Sequence, residues 1–284
     1  MIDLSASTVL LQWATGGLFF LWVTGRRRQV GLGYGWTMRL SFAGILAIAL
    51  VVGLRFESVP VREAAIIAML AVLSVAMVVS WQRRKVGVSG QRSVVERRSA
   101  RVAAMTGIDR DEQRFEADGP EFPPWLDLIA PAIGVVGLIA AAIDAGGPVV
   151  LSLARVLVGA AFLGAVTDAM LLGHWYLVQP GLPRDPIEEL VGWTGRLWLP
   201  ELVVLLWPIG MVSVLNGSID DGYNGLLGWF WVACVIATIV LVGVTRLALR
   251  ERQYSAVMAA TGLLYLAILT AFGMDVVARV LLDA

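Results

Sequence analysis

Apolar stretches of bilayer-crossing length recur along the chain near residues 7–25, 38–54, 63–81, 125–143, 150–177, 197–215, 224–245 and 256–278, and arginines gather in every second gap between them. A bilayer core of about 30 Å takes about 20 helical residues to cross. In lipid a backbone is satisfied only within a helix or a closed barrel. The spacing therefore predicts an all-α polytopic integral membrane protein with about eight transmembrane helices. Composition agrees, since 58% of the residues are apolar and 15% are charged, against about 45–50% and about 25% in soluble domains. Mean hydropathy is +0.78.

The side on which Lys and Arg gather sets orientation. One side collects Arg26, Arg27, Arg28, Arg39, Arg83, Arg84, Lys85, Arg92, Arg97, Arg98, Arg101, Arg110, Arg114, Arg184, Arg246, Arg250 and Arg252. The other has Arg55, Arg62 and Arg279, with the acidic turn Asp220-Asp221. The basic side is expected in the cytoplasm of a bacterial-type plasma membrane, with both termini outside. Tryptophan, which prefers the lipid–water boundary, supports the same inner edge through Trp22, Trp36, Trp81, Trp125, Trp175, Trp193 and Trp198. The organisation expected is residues 1–81 as transmembrane helices 1–3, 82–124 as a cytoplasmic basic loop, and 125–284 as transmembrane helices 4–8. Met1 to Ser7 has no basic residue, unlike a signal-peptide n-region, so the first span reads as a retained helix.

The long loop has two readings. Val94, Val95, Val102 and Met105 recur at helical spacing opposite Arg92, Arg97 and Arg101, as in an interfacial helix on anionic headgroups. The alternative is a solvated basic loop that only enforces topology, with an acidic tail from Asp109 to Glu121 ending at Pro123-Pro124. Small-residue pairs such as Ala160-x-x-x-Gly164 permit close helix approach, but chance pairings are expected in a chain with 30 glycines. No internal repeat is visible.

Residue counts exclude several functions. Cys234 is the one cysteine, His174 the one histidine and Lys85 the one lysine. These cannot build a disulfide, a thiolate zinc site, a covalent c-type haem or a bis-His haem, nor an intramembrane retinal Schiff base. No phosphate-binding glycine loop is present. Neither a catalytic residue nor a metal site nor a nucleic-acid partner is expected, and the chain alone does not read as an enzyme.

Ionisable side chains at membrane depth are costly and are functional suspects. They are Arg155, Asp168, His174, Arg196, Glu201 and Asp275. Arg155, Asp275 and Arg279 form an expected outer group that neutralises itself across the fifth and eighth spans. Counting at about 1.5 Å per residue from a sixth span opening near 197 puts Asp168, His174, Arg196 and Glu201 in one inner-leaflet layer on helices 5 and 6. Burial raises the pKa of a carboxyl and imidazole titrates near neutrality, so that layer suits proton relay. With Trp175, Tyr176, Trp193 and Trp198 as walls it also suits a quinone. His174 has a plainer reading as part of the aromatic belt, and Trp229, Phe230 and Trp231 read as lipid- or helix-facing. Pro200 and Pro208 free backbone carbonyls in the sixth span, which either bends it around a cavity or only shapes its packing.

The functional expectation is an integral subunit of a respiratory or redox assembly, touching quinone or relaying protons, with lipids and other protein subunits as partners. In helix count and topology alone this is similar to the quinol-reactive anchors of dimethyl sulfoxide reductase-type enzymes. The alternatives are a secondary transporter or channel for a small solute or ion, and a non-catalytic structural or assembly subunit.

Overall fold

The computed structural model describes residues 5–106, 115, 119–179 and 181–283, and every element in them longer than a turn is an α-helix. In chain order these are α1 (Ala6–Gly25), α2 (Leu32–Phe56), α3 (Pro60–Gln82), α4 (Ser89–Thr106), α5 (Leu126–Asp144), α6 (Val149–Val178), α7 (Asp185–Leu206), α8 (Gly210–Leu215), α9 (Leu226–Arg250) and α10 (Tyr254–Asp283). Seven of them, α1, α2, α3, α5, α6, α9 and α10, are long and apolar enough to cross a membrane. The chain is a multi-pass membrane protein. Its outward faces are apolar where lipid would lie, with Leu40, Ile48, Ile67, Val136 and Leu269 among the exposed side chains.

Two helices begin earlier than hydropathy predicts. α2 starts at Leu32, so Tyr34 lies within a helix and not in a loop, and Arg39 stands two turns into that helix. α7 starts at Asp185 with Pro186 in its first turn, where proline's missing N–H costs nothing. The expected sixth span at 197–215 is corrected to α7, a break at residues 207–209, and the single-turn α8. Charges at Asp185, Glu188, Glu189, Arg196 and Glu201 keep α7 outside the set of purely apolar spans. The break has a local cause: Pro208 has no N–H to donate to the Val204 carbonyl. Gly210 then turns at φ +36°, where a Cβ would meet the Leu205 carbonyl oxygen at 2.0 Å.

The core is α6, which packs against α1, α5, α7 and α10. Its closest neighbour is α1: a Cβ on Gly16 would lie 1.7 Å from the Ala160 carbonyl oxygen, and one on Gly164 would lie 2.2 Å from the Gly16 carbonyl carbon. The Ala160-x-x-x-Gly164 pair is thus a packing device, not a chance pairing. Hydroxyls that would otherwise be stranded in lipid bond back to their own helix, as Thr194 does to the Leu190 carbonyl and Thr238 to that of Cys234.

The arginine-rich ends gather at one end of the bundle. Glu189 at the start of α7 holds Arg26 and also Arg27, the latter at 2.8 Å, and Glu121 holds Arg28 at 2.9 Å and Arg92 at 2.6 Å. Arg184 donates to the carbonyls of Leu249, Glu251, Arg252 and Gln253, closing the C-terminal end of α9. Part of the long loop is α4, as the interfacial-helix reading requires. Asp109, Arg110, Arg114 and Pro180, and the side chains of Arg98, Arg101, Val102 and Met105, lie outside the described residues.

Candidate functional site

The eight residues expected to share one inner layer separate into different settings. Asp168, on the buried face of α6, has no solvent exposure. Its one side-chain neighbour of note is Tyr34 of α2, whose hydroxyl stands 3.5 Å from both Asp168 Oδ1 and the Asp168 carbonyl oxygen. That is a long contact, and Oδ2 has no hydrogen-bond partner. Trp175 packs beside Tyr34, with ring centroids 6.0 Å apart. Tyr176 is buried and donates to the Pro183 carbonyl; its own carbonyl takes the Tyr254 hydroxyl at 2.9 Å.

His174 lies six residues from Asp168, about 240° around the helix, and faces outward. It is exposed, with Nδ1 3.1 Å from the Tyr265 hydroxyl of α10. Arg196 and Trp193 are also exposed and stack on each other, 5.6 Å from guanidinium carbon to ring centroid. Trp198 donates to the Val235 carbonyl at 3.1 Å. A quinone needs its polar partner and apolar walls on one cavity. Asp168, His174, Trp193 and Trp198 point to different surroundings, so no step is derived through a quinone.

Glu201 moves furthest from its expected place. With α7 starting at Asp185, Glu201 stands about 24 Å along that helix, in the half of the bundle opposite to the arginine-rich end. It is fully buried, its carboxyl faces that of Asp275, and Arg279 and Arg155 are the cations around it. The expected outer group is therefore joined by a second acid. Arg279 is held by Asp275 at 2.8 Å and donates to the Arg155 carbonyl at 3.0 Å. Arg155 donates from Nε to the Val204 carbonyl at 3.1 Å and from Nη2 to that of Trp207 at 3.1 Å. It thereby meets the carbonyl that Pro208 leaves without a donor. Gln12 of α1 joins the cluster: a Cβ on Gly159 would lie 2.5 Å from both Gln12 Nε2 and Arg279 Nη2, and 2.9 Å from Asp275 Oδ1. Both polar atoms of the Gln12 amide are buried without a partner.

The two acid sites are nine residues apart along α6, about 13 Å. Between them lie Phe162, Leu163 and Val166, all fully buried. Toward the arginine-rich end, Tyr34 also lines a cavity of about 30 Å³ with Arg28, Arg39 and Asp127. Such a volume accommodates water, and its lining supplies the polar partners that water needs.

Arg39 and Asp127 are not among the residues singled out from sequence. They make a buried two-pronged pair, Nε to Oδ1 at 2.8 Å and Nη2 to Oδ2 at 2.8 Å. Arg39 also lies over the Phe122 ring at 4.6 Å and within 3.4 Å of Ser80 Oγ. A comparable pair at the other end joins Arg62 to Glu63 at 2.8 Å, with Ser5 and Thr8 as further acceptors. These pairs tie helices together. A sequence signal existed for both, an acid or arginine in the first turns of a span, but Arg39, at the edge of its apolar stretch, counts with the loop cations that set topology.

Comparison with protein-family models, with curated proteins and with solved structures gave no match.

Proposed function

We propose that this chain takes up protons from the arginine-rich side through Asp168 and Tyr34, as an integral component of a proton-linked redox assembly in a bacterial-type plasma membrane. The observation that carries the reading is Asp168 itself: a fully buried carboxyl with one long hydroxyl contact and an unpartnered oxygen. An isolated charge in such a place is prohibitively costly, and a carboxyl avoids that cost by exchanging a proton. Asp275, Asp127 and Glu63 each hold an arginine; Asp168 holds none. Water in the cavity beside Tyr34 gives the proton a way in. Glu201 offers a second acid station beyond the dry layer of Phe162, Leu163 and Val166.

A second reading has one observation in its favour. The helix break at residues 207–209 lies against Arg155 and the Glu201 cluster, and broken helices beside buried charges are a feature of secondary transporters. Proton-coupled solute or ion transport would use the same acids.

The test is proton flux into liposomes that hold the purified protein with any partners it retains, read by an internal pH dye under an imposed potential. Wild type should pass protons faster than protein-free liposomes. Asp168→Asn, which keeps the shape of the side chain, should lower that flux at least tenfold, and Tyr34→Phe should lower it less. Wild-type flux no greater than that of empty liposomes, or an Asp168→Asn protein as active as wild type, overturns the reading. Burial of Cys234 from thiol reagents verifies that each variant is folded.

A further inference from the structure

We propose that the groove between α7 and α9 at the arginine-rich end binds the phosphate of an anionic phospholipid headgroup. Arg196 of α7 and Arg246 of α9 converge over a floor of glycines. A Cβ on Gly192 would lie 3.5 Å from both Arg196 Nη1 and Arg246 Nη2, so those two nitrogens are no more than about 7 Å apart. A Cβ on Gly195 would stand 3.2 Å from Arg246 Nη1. Arg250, one turn after Arg246, lines the adjoining cavity of about 310 Å³ with Glu188 and Leu249. All three arginines are exposed.

Their lack of carboxylate partners distinguishes them from the paired arginines of this end. Arg26 and Arg27 share Glu189, Arg28 and Arg92 share Glu121, and Arg39 has Asp127. Among the described residues no carboxylate pairs with Arg196, Arg246 or Arg250; Arg246 Nη2 donates only to the Gly192 carbonyl at 3.3 Å. Glu188, at the cavity, supplies one negative charge against three positive ones. Like charges held this close are stabilised by an anion between them, and a guanidinium fork fits a phosphate.

The depth and surroundings select a lipid as the source of that phosphate. The indole of Trp193 beneath Arg196 marks the boundary of the bilayer. Deeper along the same two helices the exposed residues become apolar, with Leu199 and Val203 on α7 and Val240 and Val244 on α9. Basic headgroup pockets over apolar helix faces are how membrane proteins hold anionic lipids on the inner leaflet.

The experiment places the full chain in nanodiscs of phosphatidylcholine, with or without phosphatidylglycerol, and follows thermal exposure of Cys234 to a thiol-reactive dye. Phosphatidylglycerol should raise the unfolding midpoint of wild type. The rise should vanish in the Arg196→Gln/Arg246→Gln double variant and shrink in Arg250→Gln. It should persist in Arg55→Gln, which removes an exposed arginine from the opposite end. Native mass spectrometry of wild type alone should show at least a tenfold preference for retaining phosphatidylglycerol over phosphatidylcholine. Equal midpoints in the two bilayers, a rise that survives the double variant, or no lipid preference overturns the proposal. So does equal protection of wild type by inorganic phosphate in phosphatidylcholine nanodiscs, which would make the site one for free phosphate.

Discussion

Removing the carboxylate of Asp127 should destabilise this protein more than almost any other single truncation at its arginine-rich end. The Arg39 guanidinium is 3% exposed and Asp127 is 7% exposed, so Asp127→Ala strands a charge that water cannot reach. Breaking a buried pair in this way costs about 3–5 kcal/mol. What remains for Arg39 is Ser80 Oγ at 3.4 Å and the Phe122 ring at 4.6 Å. A cation over an aromatic ring retains part of the stabilisation, so the lower end of that range, about 3–4 kcal/mol, is the expected loss. At roughly 2–4 °C per kcal/mol for a chain of this size, the midpoint should fall by roughly 6–16 °C. The lone cysteine supplies the assay. Cys234 is 5% exposed, and its Sγ lies 2.6 Å from where a Cβ on Gly273 of α10 would stand, so a thiol-reactive dye reads separation of α9 from α10. Replacing both partners, as in Arg39→Met/Asp127→Leu, removes the stranded charge and should recover most of the loss. An Asp127→Ala midpoint within about 2 °C of wild type, or a double variant no more stable than Asp127→Ala, would refute the reasoning.

Two further predictions use the same assay. Gly16→Ala should force α1 and α6 apart by more than about an ångström, since its Cβ would lie 1.7 Å from the Ala160 carbonyl oxygen; overpacking of this kind costs about 1–3 kcal/mol or more. Gly44→Ala, where nothing lies within 4 Å, should be neutral or stabilising, and equal effects of the two would contradict the close α1–α6 contact. Asp221 closes the start of α9 by accepting from the backbone N–H groups of Tyr223, Gly225, Leu227 and Gly228. Burial opposes its charge, but the hydrogen bonds from Gly225, Tyr223, Gly228 and Leu227 outweigh that and hold its pKa below the usual range. A depressed carboxyl pKa gives stability that is complete above the unfolded value of about 3.9 and is lost as pH falls through the folded one. Asp221→Asn should therefore be less stable than wild type at neutral pH, with the difference closing only below about pH 4. A gap that stays constant down to pH 3 would count against the cap.

The spans were legible because lipid imposes a length and forbids charge, and seven crossings follow that rule to within a few residues except at the start of α2. The same rule failed where a helix carries charge on purpose. Asp185, Glu188 and Glu189 resemble a loop by hydropathy, yet Glu189 is there to hold Arg26 and Arg27. Reading them as loop set the start of the sixth span 12 residues too late, which put Glu201 in the wrong half of the membrane and into a layer with Asp168. Trp193 and Trp198 strengthened that error, because an indole near the lipid–water boundary reads as a helix entrance even where the helix begins two or more turns earlier. Asp168 was legible as the isolated acid of its helix. Its partner Tyr34 was not, because the glycines around it, Gly31, Gly33 and Gly35, read as a turn.

The acids inside this bundle therefore fall into two kinds, and the distinction is physical before it is functional. Asp127, Glu63 and Asp275 each neutralise an arginine at 2.8 Å, so a neutral amide in their place would leave a buried cation behind. Asp168 has a carboxyl oxygen that meets no hydrogen-bond donor, and no arginine beside it requires that its charge be present. A membrane protein selected for stability alone would gain by replacing such a group with leucine or asparagine, since an unsatisfied buried carboxyl stabilises nothing. On the proposed reading, Asp168 is kept for a task in which the carboxyl changes state. Consequently Asp168→Asn should leave the unfolding midpoint nearly unmoved while abolishing flux, the opposite of Asp127→Ala. Loss of stability in both variants, to a similar degree, would mean that Asp168 is one more structural tie.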